Sequence, residues 1–94
     1  MHLTIHALLR WFERNYHLNV EQERSKCAIR WGYYKNGLKV SDTILFKWLQ
    51  KNWAPFTSAY ASLQDLVRDY SNTFVYDDMK FVIRDGSLIT VFEV

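Results

Sequence analysis

Residues 79–94 read MKFVIRDGSLITVFEV, so an Asp85-Gly86 pair separates two runs that are rich in apolar residues. This arrangement is the strongest short-range signal for a β-hairpin, because both central residues of a type I′ turn need a positive φ angle. A two-residue loop also determines the register, which begins by pairing Arg84 with Ser87. The sequence therefore predicts a hairpin that turns at this pair.

The predicted register places apolar residues on one face of the hairpin. Continued without interruption, it pairs Val82 with Ile89 and Phe81 with Thr90. The first face then carries Met79, Phe81, Ile83, Leu88, Phe92 and Val94, and the second carries Asp78, Lys80, Val82, Arg84, Ser87, Ile89, Val91 and Glu93. A lone hairpin is marginally stable in water, so the rest of the chain must cover the first face.

Residues 73–76 predict a third strand, because all four are β-branched or aromatic. A two-residue loop at Asp77-Asp78 pairs Tyr76 with Met79 and makes a three-stranded meander. Two aspartates are a weak type I′ sequence, so a β-bulge at this loop is an equal alternative.

Ahead of the sheet, apolar residues recur at the spacing of amphipathic helices. This spacing predicts a first helix over residues 3–16. A serine cap begins another helix over residues 42–52, which Pro55 separates from the one that follows. The last helix is predicted over residues 58–70, and a capping box allows a start as late as Ser62.

Residues 19–35 allow two interpretations. As a helix, the segment has Asn19 as its N-cap, two glutamates in its first turn, and Gly37 as the glycine that stops it. As a hairpin, Asn36-Gly37 is an equally good type I′ turn. We favour the helix, because the signals at its two ends agree.

These elements predict an α+β fold, in which three to four N-terminal helices pack on a C-terminal antiparallel sheet of two or three strands. A chain of 94 residues that is 49% apolar is sufficient for a single domain, residues 1–94. It has one cysteine, Cys27, so no internal disulfide is expected. Neither a leader sequence nor an apolar run of membrane length is evident, and we expect a cytoplasmic protein with no membrane partner.

Positive charge concentrates in the first half of the chain. Residues 1–53 hold nine Lys and Arg against four acids, whereas residues 54–94 hold three against six. Such asymmetry indicates a polyanionic partner, DNA or RNA, although a dipolar surface with no partner is the competing interpretation.

The basic half also has the outline of a helix-turn-helix, because a glycine-containing turn at residues 37–41 separates two predicted helices. The second helix then reads base edges, and basic residues around it contact phosphates without reading sequence. The residues predicted to bind nucleic acid are Thr43, Lys47 and Gln50 toward the bases and Arg30, Lys35, Lys39 and Lys51 toward the backbone.

The second hypothesis is a protein-interaction or inhibitor module. Four tryptophans, six tyrosines and six phenylalanines exceed the evident needs of a core of this size. Aromatic residues left outside resemble the anchors of protein interfaces. Trp53 and Phe56 flank Pro55 in a predicted linker and are the candidate contacts, with a protein partner or a second copy of the chain.

Catalysis is the least favoured class. His6, Arg10, Glu13 and His17 supply the acid, base and cation that a metal-independent RNase needs, but solvent-exposed helix faces often contain this set. His2 and His6 have the spacing of a metal pair without a third ligand. We predict no catalytic residue, no metal site and no cofactor.

Overall fold

The computed structural model describes residues 1–32 and 39–94. In them the chain forms four helices and one four-stranded sheet, so the predicted α+β fold with helices ahead of the main strands is confirmed. The elements are, in chain order, β1 (His2–Leu3), α1 (Ile5–Asn15), α2 (Val20–Arg30), α3 (Asp42–Asn52), α4 (Phe56–Val67), β2 (Phe74–Tyr76), β3 (Met79–Arg84) and β4 (Ser87–Glu93).

The hairpin between β3 and β4 turns where the sequence predicts. Asp85 and Gly86 have φ angles of 51° and 75°, the positive values that a type I′ turn needs, and Arg84 lies opposite Ser87. The loop between β2 and β3 is also a two-residue turn with positive φ angles, at Asp77-Asp78, and Tyr76 lies opposite Met79 as predicted.

The predicted register beyond the first two pairs of the hairpin is wrong. Val82 lies opposite Thr90, so Ile89 is an extra residue in β4 and forms a β-bulge. The bulge exchanges the faces of the following residues, so that Val91 is fully buried and Phe92 is 40% exposed. The buried face of the hairpin consists of Met79, Phe81, Ile83, Leu88 and Val91.

The sheet is mixed, whereas the sequence predicted a purely antiparallel one. Its strand order is β1-β4-β3-β2, and the short strand β1 pairs with β4 in parallel. The backbone N–H of His2 donates to the carbonyl oxygen of Gly86 at 3.0 Å. Thr4, the N-cap of α1, accepts from the backbone N–H of Ala7 and donates its hydroxyl to the carbonyl oxygen of Leu88 at 2.8 Å. This residue therefore joins the start of α1 to the sheet.

The second helix is shorter than predicted. Asn19 caps its start and accepts from the backbone N–H of Gln22, as predicted, but the helix ends at Arg30. Gly32, with a φ angle of 75°, follows its end, so the predicted stop at Gly37 is wrong. The hairpin interpretation is wrong for residues 20–30, and the Asn36-Gly37 pair lies outside the described residues.

The core lies between the helices and one face of the sheet. α1 packs along β4 and buries Leu8 and Phe12, while the indole N–H of Trp11 donates to the carbonyl oxygen of Ala59 in α4 at 3.0 Å. No polar or charged residue in the described ranges is buried. Every charged residue described therefore keeps part of its surface exposed to solvent.

Candidate nucleic-acid interface on helices α3 and α4

The exposed face of α3 brings together the residues predicted to read nucleic acid. Ser41 caps the helix by accepting from the backbone N–H of Ile44 at 3.2 Å, and Leu45, Trp48 and Leu49 are buried against the rest of the chain. The opposite face is exposed at positions i, i+4, i+7 and i+8, which share one side of a helix. These positions are Thr43, Lys47, Gln50 and Lys51.

Basic residues in the first half of the chain divide into two sets. One set is paired with the chain's own carboxylates: Arg10 with Glu13, Arg14 with Glu93, Arg24 with Glu21 and Asp42, and Lys26 with Glu23. The other set is exposed and makes no ion pair with any described residue: Arg30, Lys39, Lys47 and Lys51. All members of this second set were predicted to bind nucleic acid. The remaining predicted contact, Lys35, lies outside the described residues.

The part of α3 that follows Asp42 and the first two turns of α4 contain no acidic residue. Residues 43–64 contain neither Asp nor Glu, and Lys47 and Lys51 are their only charges. The single acid of α3 is Asp42 at its start, and its carboxylate accepts from the Arg24 guanidinium at 3.0 Å. The positive potential of the two lysines is therefore not opposed by a carboxylate on α3 or on the first two turns of α4.

A groove lies between α3 and α4, on the side of α3 next to the two lysines. Its volume is about 460 Å³, and its lining residues are Phe46, Gln50, Phe56, Thr57, Tyr60, Ala61 and Gln64. Phe56 is buried and the other two rings are half-buried, with the centroids of Phe46 and Phe56 5.0 Å apart and those of Phe56 and Tyr60 6.1 Å apart. No charged residue lines the groove.

The sequence interpretation missed Phe46, Tyr60 and Gln64. A signal was present, because Phe46 and Gln50 are four residues apart, as are Tyr60 and Gln64. Each pair lies on one helix face. That these two faces meet depends on how α3 and α4 pack, which the sequence pattern does not specify.

The predicted helix-turn-helix is not supported. α2 ends at Arg30 and α3 begins at Asp42, so residues 31–41 connect them. The turn of a helix-turn-helix has about three or four residues. The two helices do pack together, because the rings of Trp31 and Trp48 meet edge to face at 5.8 Å and the indole N–H of Trp48 donates to Glu23 at 3.1 Å.

Trp53 and Phe56 are not the exposed residues that the sequence predicted. Phe56 is 6% exposed, and Trp53 is half-buried with its ring 4.8 Å from that of Phe12. The reason is that α4 begins directly after Pro55, so Trp53 lies in a short corner that folds back onto α1. The most exposed tryptophan is Trp31, at 40%. An interface role for Trp53 and Phe56 stays a prediction.

A smaller cleft contains part of the residue set considered for catalysis. It has a volume of about 170 Å³, lies between α1 and the first turns of α2 and α3, and includes His6, Arg10 and Glu13 in its lining. His17 lies beyond the end of α1 with a φ angle of 54° and does not line it. Both arginines of the cleft, Arg10 and Arg24, are paired with carboxylates. Carboxylates of the same chain therefore partly offset both charges.

Cys27 and the possible metal ligands of the described residues form no reactive or metal-binding site that the structure shows. Cys27 is fully buried on the inner side of α2, and burial raises the pKa of its thiol, an effect that the nearby Arg24 charge partly opposes. A buried neutral thiol acts as a small apolar side chain. In residues 1–32 and 39–94, no group of three His, Cys, Asp or Glu side chains is placed to hold a metal ion.

Comparison with known proteins gives no match: no family model, no curated protein and no solved structure matches the chain significantly. Within the part of the chain that the structure describes, no helix has the length and apolar character needed to cross a membrane.

Proposed function

We propose that this domain binds nucleic acid through the exposed face of α3, where Lys47 and Lys51 contact phosphates. The observation that carries the proposal is the division of the basic residues. Among the described residues, the cations of the first half that make no ion pair are ones predicted to contact the partner. Phosphate contacts by lysine and arginine supply most of the affinity of non-specific nucleic-acid binding.

Arg30 is an exposed cation at the end of α2. Its neighbour Trp31 packs on Trp48, which is itself next to Lys47, so the end of α2 lies beside the middle of α3. Lys39 is exposed shortly before the start of α3. With few phosphate contacts available, we expect moderate affinity and a modest salt slope, about −0.7 per phosphate contact for a single strand.

The test compares two double variants that remove the same charge. Lys47→Ala/Lys51→Ala removes both lysines of α3, and Lys80→Ala/Arg84→Ala removes two exposed cations of the sheet that also make no ion pair with a described residue. Binding is measured by fluorescence anisotropy with labelled DNA and RNA at several salt concentrations. We expect the α3 variant to bind about tenfold more weakly at low salt, with its salt slope reduced by about 1.4 for a single strand.

Two results would contradict the proposal. The first is the absence of salt-sensitive binding by the unmodified protein to any DNA or RNA at low ionic strength. The second is an equal loss of affinity in the two double variants, which would show that only net charge matters. Circular dichroism and thermal unfolding of both variants establish that each is folded.

A second candidate function, a protein-interaction module, is favoured by the outer face of the sheet. Val75, Lys80 and Phe92 lie in one row across β2, β3 and β4 on the side away from the helices, and Val75 and Phe92 are 60% and 40% exposed. β2 is also an edge strand, whose free backbone groups can pair with another chain. The partner that fits both features is a second copy of this chain.

Self-association is tested by sedimentation equilibrium over a range of protein concentrations. This function predicts a dimer that Phe92→Ser converts to a monomer. If the unmodified protein stays monomeric at the highest concentration reached, self-association is ruled out.

A further inference from the structure

We propose that the groove between α3 and α4 binds an unpaired base, so that the domain prefers single-stranded nucleic acid to duplex. This inference rests on the proposed function, because it uses the α3 lysines as the phosphate contacts. In this proposal the groove is the part of the molecule that selects single-stranded nucleic acid.

Two neighbouring rows of residues on α3 are placed to contact different parts of a nucleotide, one the phosphate and the other the base. Lys47 and Lys51 form one row, with a spacing of four residues, and Phe46 and Gln50 form the adjacent row with the same spacing. The lysine row faces solvent, whereas the second row lines the groove. A single strand that lies along the lysines can therefore turn its bases toward the groove.

The chemistry of the groove fits a base. Phe46 and Tyr60 are half-buried rings above the buried ring of Phe56, and each base has an apolar face that stacks on such rings. Gln50 and Gln64 are exposed at the rim and can donate hydrogen bonds to the edge of a base and accept them from it. The lining has no charged residue, which suits an uncharged planar group better than an acidic peptide.

A duplex cannot use this groove. Its bases are stacked and paired inside the helix, so a base enters a side pocket only after its stacking and pairing are broken, which is energetically unfavourable. Duplex binding would then depend on the lysine row alone. Single-strand binding would gain the stacking contribution, which amounts to about fivefold to 150-fold in affinity per base.

The test uses Tyr60→Ala, which removes the most accessible ring of the α4 wall, and two controls. Tyr60→Phe keeps the ring, and Tyr76→Ala removes an equally sized ring that is 52% exposed on β2, outside the groove. The probes are a fluorescent oligothymidine and a duplex of the same length at one salt concentration. We expect the unmodified protein to bind the single strand at least about fivefold more tightly than the duplex.

Tyr60→Ala should remove most of that preference while leaving duplex affinity and the salt slope unchanged, and both controls should bind as the unmodified protein does. If Tyr60→Ala does not fold, the same question is answered by NMR titration of the unmodified protein. Shifts of the side-chain amides of Gln50 and Gln64 on adding oligothymidine support the proposal, and their absence at saturation overturns it.

The outcomes separate this inference from the proposed function. Equal affinity for single strand and duplex, or an unchanged affinity in Tyr60→Ala, would overturn the inference while salt-sensitive binding through Lys47 and Lys51 stands. No binding to either probe would overturn both. Displacement of the oligothymidine by an uncharged or acidic peptide that shifts the same glutamine amides would identify the groove as a protein site and overturn the inference.

Discussion

Helices α2 and α3 are both eleven residues long and pack against each other, yet the first two turns of α2 and the exposed face of α3 use positive charge in opposite ways. Within its first two turns α2 carries Arg24 and Lys26, and both pair with carboxylates of the same chain. α3 carries Lys47 and Lys51, and neither pairs with a described residue. A count of basic residues in the sequence therefore overestimates the charge that is free to meet a partner.

The paired charges of α2 have a structural role. The Arg24 guanidinium donates to the carbonyl oxygen of Val40 at 2.6 Å and to Asp42 at 3.0 Å, and so ties α2 to the start of α3. Glu23 accepts from the indole N–H of Trp48 as well as from Lys26. Arg24 and Glu23 thus hold α2 and α3 together, whereas Lys47 and Lys51 face solvent. Measurements on three variants test the differences between the two helices.

The largest effect is expected for Arg24→Ala. This change removes two hydrogen bonds that involve a charged group, and the Arg24 side chain is only 26% exposed. We therefore expect the free energy of unfolding to fall by about 2 kcal/mol. Lys47→Ala is the matched change on α3 and should alter stability by less than about 0.5 kcal/mol. Urea unfolding followed by tryptophan fluorescence measures both. Equal losses for the two variants would show that the charges of α2 and α3 do not differ in role.

A smaller effect is expected at the end of α2. Gly32 has a φ angle of 75° and open space where a Cβ would lie, so Gly32→Ala introduces backbone strain without a clash. We expect a loss of about 1 kcal/mol, and a smaller loss for Gly32→Asn, because asparagine tolerates this conformation better. Thermal unfolding of the two variants is the measurement. A loss for asparagine as large as that for alanine would mean that backbone conformation is not the cause.

The smallest expected effect on stability comes from Cys27, a titratable residue on the buried side of α2. The buried residues of α3 have no titratable side chain; they are Leu45, Trp48 and Leu49. Burial raises the pKa of Cys27 in the folded state, so the folded chain holds this proton at a pH where the unfolded chain releases it. The resulting stability is present below the ordinary thiol pKa, about 8.5, and is lost as the pH rises toward the raised value.

Unfolding free energy should therefore fall more steeply above that pH in the unmodified protein than in Cys27→Ala. Urea unfolding at a series of alkaline pH values measures the two slopes. Identical slopes would mean that the thiol ionises equally well in the folded and unfolded chains.

Local chemistry accounts for the parts of the fold that the sequence predicted well. The turn at Asp85-Gly86 and the caps at Asn19 and Ser41 depend on residues within three positions of one another, so they can be read from a short window. The same is true of the exposed face of α3, because helical spacing alone brings Lys47 and Lys51 to one side.

The errors arose where two patterns competed or where distant segments meet. In β4 both alternating sets contain apolar residues, so the pattern did not specify the register and the bulge at Ile89 was missed. The sequence interpretation took Gly37 as the stop of α2, whereas the helix ends at Arg30, just ahead of Gly32. β1 is too short to show any periodicity, and the groove exists only because α3 and α4 pack together.

Pairing between β1 and β4 also bears on how the chain folds during synthesis. Thr4 and Leu88 are joined by hydrogen bonds across 84 positions, and α1 packs along β4 over most of its buried side. The first helix leaves the ribosome long before the strand that shields its apolar stripe, and closing so large a loop is entropically costly. Until β4 has emerged, the side of α1 that packs on this strand stays uncovered, so we expect native structure to be completed only then.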